Sequence, residues 1–197
     1  MDAPLPPTQR ARQELTHRNA LRLLELVNSL LDVSRIRSGK LELHMEESGP
    51  MELVHEVLDV FHEQMEQARC VLQLRAELGL RVWWDRSRVQ QALTNLVSNA
   101  IKYAPGTALD IGLRRHRDRL ILSVSDGGPG IPQEHQDRVF ERFERGGPPR
   151  SVHGLGLGLF IARQIVEGHP GKLVLRSAPG QGATLIIDLP LPPRVQA

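Results

Sequence analysis

The stretch HGLGLGLFIARQIVEG, residues 153–168, constrains this chain more than any other. Gly154, Gly156 and Gly158 alternate with leucines, and an apolar run with helical spacing follows without a break. Glycine costs backbone entropy on folding, so three of them directly before a helix mark a place where the backbone turns sharply or approaches a ligand closely. A helix N-terminus offers unpaired N–H groups and a partial positive charge, and the combination suits an anion such as phosphate. The spacing is G-x-G-x-G after a polar stretch, not the dinucleotide pattern G-x-G-x-x-G after a strand, and the Lys-Ser/Thr pair of a P-loop is missing. Taken by itself, the run also fits a flexible glycine-rich loop that merely opens a helix.

A chain of 197 residues holds one domain of ordinary size plus an extra element, with a sizeable core. Its 40% hydrophobic and 24% charged content is that of a globular protein, and no apolar run approaches a membrane span. The opening MDAPLPPTQRARQE is proline-rich and then charged, without a signal-peptide pattern. A lone cysteine, Cys70, permits no internal disulfide, so a reducing, cytoplasmic location is expected. The net charge of +2 is too small to argue for nucleic acid. The arginines matter locally instead: Arg138, Arg142, Arg145 and Arg150 crowd one stretch just before the glycines.

Residues 11–37 read as one long helix, with Ala20, Leu23, Val27, Leu30 and Ser34 at helical spacing and Leu24 and Leu31 widening the stripe. Such a seam suits a partner helix. LELHM (41–45) alternates like a short strand, Gly49-Pro50 makes a break, and a helix over 51–68 precedes strand-like VLQLRAE and RVWW. Asp85 stands where an N-cap should, ahead of a helix carrying Val89, Leu93, Leu96, Val97 and Ala100. Strands are predicted over 108–115 and 119–125, joined by HRDR, and again at KLVLRS and ATLIIDLP after the glycine-led helix. The order predicts an α+β fold: a two-layer sandwich of a mixed β-sheet with helices on one face, preceded by one long helix.

Three further stretches join the glycine run. NLVSNAIKYAP places Asn95 and Asn99 one turn apart on one helix face, with Lys102 and Tyr103 just beyond. Asparagine is a poor helix former, and its repetition mid-helix asks for a reason other than capping. VSDGGPGIP ends a strand on Asp126 and runs through Gly127, Gly128 and Gly130, a turn able to bring a carboxylate to the floor of a cleft. VFERFERGG offers Phe140 and Phe143 with Arg142 and Arg145, an arrangement that plain packing would also explain.

In this order and spacing, the four stretches resemble the ATP-binding domain of sensor histidine kinases, of the superfamily that includes gyrase, heat-shock chaperone and mismatch-repair ATPases. NLVSNAIKY resembles the family's asparagine box, DGGPGI its first glycine box, VFERF its phenylalanine box and GLGLGLFI its second glycine box. The likeness runs from about residue 14 to about residue 190. HRNALRLLELVNSLLDVSRIRSGKLEL resembles the second helix of the dimerisation and phosphoacceptor hairpin. The domains expected are a disordered tail at 1–10, a partial dimerisation helix at 11–38, an ATP-binding catalytic domain at 39–191 and a tail at 192–197.

The resemblance implies roles that each side chain's chemistry supports. Asn99 would give its carbonyl oxygen to Mg2+, a hard cation that takes oxygen ligands. Asp126 would accept a hydrogen bond from the adenine amino group of ATP. Gly128 and Gly130 would let the backbone pass beside the base, with Tyr103 lining the pocket and Thr184 assisting there. Lys102, Arg142 and Arg145 would neutralise the triphosphate. Gly154, Gly156 and Gly158 would hinge a lid, and the box residues Ile131, Phe140, Leu155 and Leu157 would contribute to the nucleotide site. Asn95, Asn99 and Lys102 form the expected catalytic set.

Three functions compete. A histidine kinase portion would pass the γ-phosphoryl group to a histidine outside this chain. A gyrase- or chaperone-like clamp hydrolyses ATP with a glutamate one turn before the magnesium-binding asparagine, and Asn95 at that position cannot act as a base. A non-catalytic nucleotide-binding and dimerisation module would regulate another kinase. His55-Glu56 and His62-Glu63 begin like the family's acceptor motif, but VLD and QME follow in place of its arginine and proline. The first reading therefore implies an acceptor-histidine helix or full-length kinase and a response regulator as partners, with a weak homodimer through the helix seam, no nucleic acid and no membrane contact. Two departures from the family pattern stand out: Gly127 where asparagine is common, and Pro170 where the first of two glycines is common.

Overall fold

The structure, a computed structural model, describes residues 42–144 and 155–191, together with Gln9, Thr16 and residues 19–20, 23–24, 26–28 and 30–34. The chain divides into two units, Met1–Leu41 and Glu42–Ala197. In the first, all the described residues are helical. The side chains of Leu23, Leu24, Val27, Leu30 and Leu31 are exposed along it, whereas Asp32 and Val33 are buried. The tails expected at 1–10 and 192–197 lie outside the described residues, Gln9 excepted.

The second unit is built from β1 (Glu46–Ser48), α1 (Pro50–Gln67), β2 (Val71–Ala76), β3 (Val82–Trp84), α2 (Arg86–Tyr103), β4 (Ala108–His116) and β5 (Arg119–Asp126), followed by α3 (Gln133–Gln136), a 3-10 turn (Arg138–Phe140), α4 (Gly158–Gly168), β6 (Lys172–Ser177) and β7 (Ala183–Pro190). Pro50 opens α1, where its fixed φ suits the first helical position and its missing N–H costs nothing. Leu53, Val54, Val57, Leu58, Phe61 and Met65 then recur at threes and fours and are buried. Asp85 caps α2, accepting from the Arg88 N–H at 3.0 Å as its position in the sequence predicts.

Five strands form a mixed sheet in the order β2-β4-β5-β7-β6, with β2 parallel to β4 and the remaining pairs antiparallel. Alternation buries Leu109, Ile111 and Leu113 of β4, Leu120, Leu122 and Val124 of β5, and Leu185, Ile187 and Leu189 of β7 on the face covered by helices. The expected two-layer α+β sandwich is the observed one. Helix α2 lies between α1 and α4 and packs on β5. Among the described residues no helix is long and apolar enough to cross a membrane.

One expected strand is displaced. Residues 42–45 of LELHM carry no regular structure, and the strand instead spans Glu46–Ser48. It pairs antiparallel with β3 in a separate two-stranded sheet, which takes RVWW out of the main sheet. The reason is Trp84, only 1% exposed, whose indole N–H needs an acceptor and finds Ser48 Oγ at 2.6 Å. That bond selects Ser48, not the leucines upstream, as the paired segment.

Candidate functional site

Asp126 ends β5 with its side chain on the helix-covered face. Its Oδ1 accepts the Gly128 N–H at 2.9 Å and the Ala183 N–H at 3.3 Å. No described residue donates to Oδ2, so one carboxylate oxygen is anchored and the other is offered outward. Burial pushes this carboxyl above its ordinary value, and the two N–H donors offset only part of that rise.

The backbone around it leaves no room for side chains. A Cβ on Gly128 would stand 2.8 Å from Asp126 Oδ1 and 2.9 Å from Ala104 Cβ, so the turn packs on the end of α2. Gly130 has φ +72° and would place a Cβ 1.9 Å from the Ala178 carbonyl oxygen. Two side chains that sequence reasoning missed hold this turn. Ser177 Oγ accepts the Ile131 N–H at 2.8 Å and donates to Gly182 O at 2.6 Å, while Gln136 Nε2 donates to Ile131 O and Ser177 O. Thr107 is a third, accepting the Gly127 N–H at 3.3 Å. A Cβ at Gly127 would meet Thr107 Cβ at 3.2 Å, a tight contact at the position where the resemblance implies asparagine. Nothing local in the sequence marks the ties from Ser177 to Ile131, Gln136 to Ser177 and Thr107 to Gly127, because these join segments distant along the chain.

Asn95 and Asn99 lie half-buried on α2, and among the described residues neither side chain has a hydrogen-bond partner. Gly158, the first residue of α4, approaches Asn95: its Cβ would be 3.3 Å from Asn95 Oδ1. Lys102 Nζ lies 5.5 Å from the centre of the Tyr103 ring, beside the Asp126 turn. Phe143 adopts φ +66° and donates its N–H to Gly156 O at 2.9 Å. Two cation–π contacts join this segment to α4: Arg142 over Phe160 at 5.4 Å and Arg163 over Phe140 at 5.6 Å. Tyr103 and Ala104 at the C-terminal end of α2 thus meet the turn that follows Asp126, while Asn99 and Asn95 lie one and two turns earlier on the same helix, where Gly158 of α4 approaches Asn95.

Some expected residues are not brought there. Thr184 Oγ1 bonds Ser125 Oγ at 2.8 Å, and this pair is the register neighbour of Asp126 and Ala183. Adjacent strand positions point to opposite faces, so the Thr184 hydroxyl is on the far side of the sheet from the Asp126 carboxylate. Leu157 is 2% exposed and belongs to the core, while Leu155 is half-buried. Arg145 and Gly154 lie outside the described residues.

Among the described residues, an aspartate oxygen without a donor, a glycine turn tight against the same carboxylate and two asparagine side chains without hydrogen-bond partners are therefore found on α2 and the end of β5. Residues 84–193 match the family of histidine kinase-, DNA gyrase B-, and HSP90-like ATPases. The chain belongs to this family. Within it, the chain is similar to the circadian input-output histidine kinase CikA of Thermosynechococcus vestitus, 36% identical over 196 residues, which are 95% of this chain and 26% of CikA. Mycobacterium bovis SenX3, a sensor-like histidine kinase, is 36% identical over 87% of this chain and 42% of its own length. The chain thus spans less than half of these relatives. Among solved structures, the catalytic domain of histidine kinase ThkA is 30% identical with TM-score 0.68, over 76% of this chain and 97% of that one. ThkA in complex with response regulator protein TrrA aligns over 98% of this chain and 55% of that one, at 27% identity and TM-score 0.71. Full-length ShkA in complex with AMPPNP shares the fold, at 24% identity and TM-score 0.81, over 96% of this chain and 40% of ShkA. The second unit is a histidine kinase-type ATP-binding catalytic domain.

Proposed function

We propose that this chain is the Mg·ATP-binding catalytic portion of a two-component sensor histidine kinase and passes the γ-phosphoryl group to a histidine that the chain does not contain. The observation that carries the reading is Asp126, whose Oδ1 is fixed by two backbone N–H groups while Oδ2 stays free to accept from the adenine amino group. Gly128 and Gly130 keep the neighbouring backbone bare, so the base can lie against it.

Asn99 fits a magnesium site: its amide oxygen has no partner among the described residues, and Mg2+ is typically held by one or two protein oxygens plus phosphates and waters. When bound, the metal neutralises charge on the phosphate oxygens. Lys102, Arg142 and Arg145 would supply further positive charge, and the N–H groups opening α4 would face the phosphates. Asn95 offers no base to activate water, which favours transfer over hydrolysis. In transfer, an imidazole nitrogen attacks in line, the N–P bond forms as the bond from γ-phosphorus to the bridging oxygen breaks, and ADP leaves.

The AMPPNP complex of ShkA and the response regulator complex of ThkA support an adenine nucleotide ligand and a response regulator partner. A cytoplasmic location and weak homodimerisation through residues 11–38 complete the proposal, with residues 39–191 as the catalytic domain. The test supplies a helix bearing an H-E-x-R-T-P acceptor together with Mg·ATP. Phosphate should appear on its histidine, and Asn99→Ala should abolish the transfer. ATP binding without transfer to any supplied acceptor would instead identify a regulatory nucleotide-binding module.

A further inference from the structure

His169 and Asp85 are the two buried polar residues of the catalytic domain among those described, 4% and 2% exposed, and neither touches the nucleotide site. His169 follows the last residue of α4, and Asp85 precedes the first residue of α2. The Asp85 N–H donates to His169 Nε2 at 2.9 Å. Nε2 is thereby an acceptor, so the ring proton sits on Nδ1, which donates to Ile165 O at 2.7 Å. The ring ties the end of α4 to the start of α2. Asp85 in turn holds three donors: Arg88 N–H and Ser87 Oγ on Oδ1, and His44 N–H on Oδ2 at 2.8 Å. Burial raises this carboxyl and its hydrogen-bond donors pull it down, so that it ends below its ordinary value.

The two helices run in opposite directions and pack against each other, and two of their contacts mark the ends of α4. One is the His169–Asp85 joint. The other is Gly158 against Asn95, about 16 Å away along α4 at the usual rise per residue. A hydrogen-bonded tie at one end of α4 and a close steric approach at the other both depend on its register on α2. We propose that His169 is a positioning residue for nucleotide binding: its hydrogen bond to the Asp85 backbone sets the register of α4 on α2, and hence where the glycine-led start of α4 stands relative to Asn95 and Asn99. The proposal rests on the ATP-binding reading above.

The experiment compares His169→Leu with His169→Gln in the full chain. Leucine leaves the buried Asp85 N–H without an acceptor, whereas glutamine keeps both an acceptor and a donor. ATP affinity by calorimetry should fall about tenfold for leucine and stay within about threefold of the parent for glutamine. Amide exchange without nucleotide should quicken at Gly158–Ile161 in the leucine variant, at the far end of α4 from the substitution. If leucine does not fold, His169→Asn, too short to reach both partners, is judged by the same two readouts. A folded variant with parental ATP affinity, and exchange altered only around Asp85 and residues 165–171, would reduce His169 to a stabilising residue and overturn the proposal. A parent chain that binds no ATP would sink the functional reading alone, since the exchange pattern at Gly158 still decides the joint.

Discussion

Gly158 lies against Asn95, with a built Cβ 3.3 Å from Asn95 Oδ1 and 3.5 Å from its Cγ. The glycine is helical and has an ordinary φ, so the constraint is one of space. Gly156, two residues earlier, is constrained by conformation as well: φ +67°, with a Cβ 2.4 Å from the Glu144 carbonyl oxygen. Gly158→Ala should therefore fold with thermal stability close to the parent, because a small shift of the Asn95 side chain relieves the contact and no backbone strain is added. Its ATP affinity should fall several-fold as Asn95 gives way. Gly156→Ala should lose about 1–3 kcal/mol of stability from backbone strain and bind ATP far more weakly. Melting curves and calorimetry on the two variants separate the effects.

Asp126 should show opposite pH dependences in stability and in binding. Burial raises its folded-state value above the ordinary 3.8, so the folded chain keeps that proton to higher pH than the unfolded chain. Its contribution to stability is therefore lost as pH rises through the folded value and regained on protonation. Binding runs the other way, because the adenine amino group needs the unprotonated oxygen. Affinity should fall on acidification at a higher pH than an ordinary aspartate would set. Asp126→Asn retains an oxygen for Gly128 and Ala183 but turns a donor towards the base. The free variant should melt no lower than the parent, bind ATP at least about tenfold more weakly and lose the acid limb of the binding profile.

Pro170 should be improvable. It follows the α4 cap, at the position where a left-handed residue usually closes a helix end. The surrounding bonds are those of a left-handed helix end, with the Gly171 N–H on Val166 O at 2.9 Å. Proline lacks the N–H that this cap uses and resists its φ, whereas glycine supplies both. Pro170→Gly should raise stability by about 1 kcal/mol, the restored N–H and the accessible left-handed conformation outweighing the entropy cost of glycine. A few degrees in melting temperature is the expected reading.

The N-terminal helix should drive association. Leu23 is 62% exposed, Leu24 57% and Leu30 50%, on the stripe that also carries Val27 and Leu31. Val27→Asp puts a charge in that stripe and should shift sedimentation towards monomer while leaving ATP affinity unchanged.

Much of the site is legible in the sequence because its residues carry local demands. The asparagine pair repeats at one helical turn, Asp126 ends an alternating strand, and Gly130 and Gly156 adopt a positive φ that glycine tolerates best. Element order likewise follows from period and punctuation, as Asp85 at the start of α2 and Pro50 at the start of α1 show. What depends on pairing across the chain is not written locally. Thr184 reads as a pocket residue until the β5–β7 register turns its hydroxyl to Ser125 on the other face. LELHM alternates like a strand, yet the indole of Trp84 recruits Ser48 and moves the pairing downstream. His169 stands where the family pattern has a histidine, but only the close passage of two helix ends gives its ring an acceptor's task at Asp85. Sequence determined which backbone conformations and side-chain chemistries were available. Tertiary structure decided which of them met, because a hydrogen bond between residues 84 positions apart exists only once the sheet and helices have fixed the distance between them.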